Sequence, residues 1–114
     1  MLRVTIYNEF VHERTEEAIR AIYPDGIHME LKRALEGQDI SVTTYTVDTV
    51  GELTEEVLRQ TDVLIWWGHI AHDRVPDEVA QRVQRAVLCG MGAIFLHSAH
   101  HSKPFRLLMG TSCN

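Results

Sequence analysis

Seven histidines stand in this chain of 114 residues, and six of them follow segments that read as the carboxyl ends of β-strands. They fall in Asn8-Glu9-Phe10-Val11-His12-Glu13, in Gly68-His69-Ile70-Ala71-His72-Asp73 and in His97-Ser98-Ala99-His100-His101. Imidazole moves protons near neutral pH and ligates borderline metals such as zinc. A catalytic zinc takes about three protein ligands and keeps one position open, so His69, His72 and His97, or His100 in place of His97, are the expected ligands of a divalent metal. The H-x-x-H spacing of His69 and His72 in a loop has no fixed geometry, and convergence of three segments on one edge is the stronger signal. Taken singly, each histidine is more often a hydrogen-bonded surface imidazole; the cluster argues for a site.

Carboxylates share these loops. Glu9 and Glu13, with His97, are the expected catalytic groups, as general bases or as partners fixing an imidazole tautomer. His12, His28, His100 and Lys103 are the expected substrate contacts. His28 opens a helical segment on the same side of the sheet, and Lys103 precedes Pro104 at a helix start, where free amides favour anionic or hydroxylated ligands. Trp66 and Trp67 must point to opposite faces of one strand, as core residues or with one stacking on a sugar. Ser98 occupies the place of a nucleophile elbow, but Leu96-His97-Ser98-Ala99-His100 lacks the flanking glycines of that turn. Cys89 reads as a small buried apolar residue and Cys113 lies near the chain end; two cysteines make neither a disulfide framework nor a paired metal motif.

The elements that must position these groups are legible. Leu2, Val4 and Ile6 alternate with polar residues and define a first strand ending at Asn8. Thr15 is a candidate cap for a helix to Ile22, and Pro24 ends it. Asp25 is a candidate cap for a second helix, with Ile27, Leu31, Ala34 and Leu35 on one face and Gly37 as its stop. Ile40 to Val47, rich in hydroxyls, reads as an edge strand, and Thr54 caps a short helix. Val63 to Trp67 is apolar on both faces, as a central parallel strand is. Pro76 opens a helix carrying Val79, Val83, Ala86 and Val87 as far as Gly90, and Gly92 to Leu96 is a fourth strand. Strands alternating with helices imply right-handed crossovers, hence an α/β class with a parallel sheet of order 2-1-3-4 in a single domain over residues 1–114. The ligand crevice of such a sheet lies at the carboxyl ends of strands one and three.

A hydrophobic share of 45% supports a folded core. Eleven Lys and Arg against sixteen Asp and Glu give a net charge of −5, so no basic face exists for nucleic acid. No apolar run approaches the roughly 20 residues of a membrane span, and no signal peptide opens the chain, so a cytoplasmic location is expected. Gly90-Met91-Gly92 precedes a strand rather than following one, the reverse of a nicotinamide fingerprint, and no flavin motif is present.

The strings YNEFVHE, IYPDGIH, LTEEVLRQTDVLIWWGHIAHD, GMGAIFLHSAHHSKPF and LMGTSCN resemble the ThuA-like trehalose-utilisation family along nearly the whole chain. The resemblance implies a flavodoxin-like, three-layer α/β/α fold similar to the class I glutamine amidotransferases. Their working cysteine follows the strand corresponding to Gly92–Leu96, a place held here by His97. Imidazole cannot form the thioester of amide hydrolysis, so the scaffold without amidotransferase activity is expected. The family resemblance implies a role in the breakdown of trehalose and related disaccharides, including oxidised keto-sugars. Members of that family are longer, and the sequence stops inside a shared string, so a fragment or a homo-oligomer covering the exposed fourth strand is expected. The resulting expectation is a sugar-binding, metal-assisted isomerase, lyase or hydrolase; the alternative is a non-catalytic sugar-binding or regulatory module.

Overall fold

In a computed structural model, which describes residues 1–111, four strands form one parallel sheet in the order β2-β1-β3-β4. They are β1 (Leu2–Asn8), β2 (Ile40–Tyr45), β3 (Val63–Trp67) and β4 (Gly92–Phe95). The connections hold helices α1 (His12–Thr15), α2 (Glu17–Ile22), α3 (Ile27–Leu35), α4 (Glu55–Arg59) and α5 (Asp77–Leu88), and α6 (Lys103–Met109) follows β4. Single 3-10 turns occupy Val50–Glu52, His72–Arg74 and Ala99–His101.

The period of the strands sets two cores, one on each face of the sheet, which makes the expected three layers. Tyr7, Leu64 and Trp66 face α4 and α5 and pack with Leu58, Val79 and Val83. Val4, Ile6, Val42 and Ile65 face α3, where Leu31 and Leu35 cover them. Tyr7 pairs in register with Trp66, and their rings stack with centroids 4.0 Å apart. Each fully buried valine of α5 contributes roughly 1.5–3 kcal/mol of transfer free energy, so this helix is anchored by Val79 and Val83.

Several local expectations are corrected. Thr15 is the last residue of α1, not the cap of α2, and its hydroxyl donates back to the Val11 carbonyl. Gly26, at φ +94°, takes the N-cap of α3 in place of Asp25, whose carboxylate pairs with Arg33. That helix ends by extending at Glu36, without a left-handed Gly37. Cys89 is exposed at the end of α5, not buried, and Cys113 lies outside the described residues. Thr54 caps α4 as expected, accepting from the Val57 amide at 3.3 Å, and Gly90 adopts φ +117° just past α5. Among the described residues, no helix is long and apolar enough to cross a membrane.

Candidate functional site

Adjacent parallel strands β1 and β3 end side by side, Asn8 opposite Trp67, so their following loops meet. Phe10 leaves β1 at φ +57°, with its amide donating to Asn8 Oδ1 at 3.2 Å. That turn starts α1 at once and brings His12 and Glu13 back over the strand ends.

Glu9 is 1% exposed, and its carboxylate is consumed by the neighbouring loop. Oε1 accepts from the backbone amides of His69 at 2.6 Å, Ile70 at 3.2 Å and Ala71 at 3.1 Å. Three successive amides around one buried carboxylate form a nest that holds the β3 loop in a single conformation. Gly68 is part of that fit, because a Cβ there would lie 3.0 Å from Glu9 Oε1 and 3.2 Å from the His72 ring.

The loop so held places His69 against His12, with His69 Nδ1 and His12 Nε2 2.9 Å apart. One nitrogen donates and the other accepts, so a single proton lies between the rings. The other nitrogen of His12, Nδ1, is buried and lies 3.4 Å from Glu16 Oε1. The Trp67 ring stands edge-on to His12 with centroids 6.2 Å apart, and its Nε1 donates to the His97 carbonyl at 2.7 Å. Trp66 is core, whereas Trp67 is half-buried and ties the β3 end to the β4 loop.

Glu13 and His28 belong to a separate buried cluster. Asn8 Nδ2 lies 2.6 Å from Glu13 Oε2 and 3.1 Å from His28 Nδ1, and the Ile27 amide also donates to Glu13 Oε2. Glu13 Oε1 is buried without a partner. Phe10 meets the His28 ring edge-on at 5.0 Å. Burial holds the His28 imidazole below its ordinary 6.5, against the opposing pull of Glu13 and Asp25.

The remaining sites spread along the edge. His72 has a sealed Nε2, and its imidazole is held below 6.5 by desolvation, opposed by Glu9 and reinforced by His101, Arg106 and His69. His97 and His100 are exposed, with ring centroids 6.0 Å apart, and Ser98 Oγ lies 3.3 Å from His97 Nδ1. Lys103 Nζ donates to the Val75 carbonyl at 2.6 Å and pairs with Asp77 at 2.9 Å, so its charge is already engaged. Among the described residues, no three His, Cys, Asp or Glu side chains are gathered for a metal ion. A sealed His72 Nε2 and an exposed His97 do not fit one ligand set with His69.

Two cavities open elsewhere. One of about 550 Å³ lies between α4 and α5 beside Asp62 and Gly90, at the amino ends of β3 and β4. The other, about 620 Å³, lies between α5 and α6. Neither is lined by a histidine.

The sequence reading missed Asn8, the hinge at Phe10 and the support from Gly68. A polar residue closing a β-branched strand beside Glu9 was the available signal for Asn8. The left-handed Phe10 has none, since bulky residues rarely adopt that conformation.

Together these features define a parallel α/β domain with paired imidazoles at the carboxyl edge of its sheet. The ThuA family model, described as trehalose utilisation, matches residues 3–114, and the chain belongs to that family. A search of curated proteins finds no match to the sequence.

Proposed function

We propose that the chain binds trehalose-type carbohydrates, reduced or oxidised, over the carboxyl edge of β1 and β3, with His12 and His69 transferring a proton. The observation that carries this reading is the 2.9 Å contact between the two imidazoles. His69 is exposed and can meet a ligand; His12 stands half-buried behind it with Glu16 beyond. An outer base oriented by an inner group is the general arrangement for activating a hydroxyl or an acidic C–H. On an oxidised sugar, His69 would take the proton from the carbon beside the carbonyl, or from a hydroxyl, in an isomerase, lyase or hydrolase reaction. Trp67 offers an apolar edge to a sugar ring, and exposed His97 and His100 offer hydrogen bonds to its hydroxyls. Glu9 and Glu13 serve as positioning groups, because backbone amides and Asn8 occupy their carboxylates.

A second reading, a sugar-binding module without turnover, is favoured by the exposure of His69, His97 and His100 on an open edge where water has free access. Incubating the protein with trehalose and with carbonyl-bearing disaccharides separates the two. Catalysis predicts turnover that falls about 10²- to 10⁴-fold in His69→Ala. Saturable binding without conversion supports the module, and no binding of either sugar contradicts both.

A further inference from the structure

The second cavity, between α5 and α6, holds the one unpaired cation of the described chain. Of the eleven Lys and Arg residues, ten pair through their side chains with a carboxylate or a backbone carbonyl. Arg106 has no side-chain partner among the described residues, and its Nε is buried and unsatisfied. Arg106 lines a cavity of about 620 Å³ together with Lys103, Asp77, Gln81 and Leu107. Asp77 neutralises Lys103 at 2.9 Å, so the charged side chains of this wall sum to +1 in a molecule whose net charge is −5.

A half-buried guanidinium without an acceptor is costly, because it has lost water without gaining a partner. Guanidinium is also the side chain whose planar fork suits an oxyanion, and a nearby ammonium and an amide add donors at other angles. We propose that this cavity is a binding site for a phosphate group, free or carried on a small molecule, with Arg106 as its principal contact and Lys103 and Gln81 beside it. The site is distinct from the His12–His69 edge and stands independently of the carbohydrate reading. Lys103 also donates to the Val75 carbonyl at 2.6 Å, directly after the His72–Arg74 turn, so one hydrogen bond links the cavity wall to that edge.

Calorimetric titration of the full chain with inorganic phosphate and with glucose 6-phosphate tests this. Saturable binding of at least one, weakened tenfold or more by Arg106→Gln and unchanged by Arg59→Gln on the exposed face of α4, is the expected result. Equal affinity for the two points to free phosphate, and tighter binding of the sugar phosphate points to a phosphorylated ligand. Because Arg106→Gln can perturb folding, the Arg106 Nε–H signal of the unmodified protein is followed through the same phosphate titration. Binding of neither probe, equal binding by Arg106→Gln, or an Nε–H signal that does not move overturns the proposal.

Discussion

Nε2 of His12 and Nδ1 of His69 lie 2.9 Å apart, on loops that follow two hydrogen-bonded neighbouring strands. The two rings are therefore coupled through one hydrogen bond and not merely close. Replacing either by alanine removes the bond, and replacing both removes no more of it. A double-mutant cycle over His12→Ala and His69→Ala is expected to give a coupling free energy of about 0.5–1.5 kcal/mol in urea unfolding. Strictly additive losses would show that the contact carries no energy.

Glu9 is predicted to act through the loop it holds. Glu9→Gln can keep its oxygen on the three amides of residues 69–71 but loses the negative charge and sets an N–H₂ against the Ile70 amide in place of Oε2, at a cost of about 1–3 kcal/mol in stability. Amide exchange should accelerate at His69, Ile70 and Ala71 while Leu64 and Ile65 in β3 stay protected. Uniform acceleration across the sheet would make Glu9 a global rather than a local support.

Two glycines are expected to resist substitution for different reasons. Gly68→Ala places a methyl 3.0 Å from Glu9 Oε1 and 3.2 Å from the His72 ring, so the buried carboxylate or imidazole must move, costing about 1–3 kcal/mol. Gly26→Ala adds backbone strain at φ +94° to a contact of 2.5 Å with the His28 ring. Gly37→Ala, with open space around it, serves as the neutral comparison. Equal melting temperatures for all three variants would contradict the packing described.

Acid should destabilise the fold through His28 and His72. Both imidazoles are held below 6.5 chiefly by burial, so the unfolded chain binds their protons first as pH falls. Stability is then full above about 6.5 and declines as pH drops toward the folded values. Glu13 and Asp25 oppose the shift at His28, and Glu9 opposes it at His72. Thermal denaturation between pH 7.5 and 5.5 should show a falling Tm, with a shallower slope in His28→Gln. A Tm that stays flat or rises on acidification contradicts this assignment.

Much of the frame was legible because it rests on apolar period. Val63–Trp67 appears as the strand its two-sided apolar run predicted, and the order 2-1-3-4 follows from alternating elements and right-handed crossovers. Caps were less legible where tertiary pairing competed with local preference. Asp25 gives its carboxylate to Arg33, and Thr15 turns its hydroxyl back into α1. At the site, placing His12 and His69 on one edge required only topology. Their direct contact, the capture of Glu9 by backbone amides and the diversion of Glu13 to Asn8 depend on the Phe10 turn, which no sequence pattern announces. Arg106 was invisible for a simpler reason, since an unpaired cation is recognised only once every partner is placed.

Carbohydrate binding at the His12–His69–Trp67 edge is checked by following the imidazole and indole NMR signals during titration with trehalose and with a carbonyl-bearing disaccharide. Saturable shifts at His12, His69 and the Trp67 indole, with Trp66 unmoved and binding weakened in His69→Ala, are predicted. Saturable binding that leaves those signals in place, or that is unaffected by His69→Ala, would contradict the site.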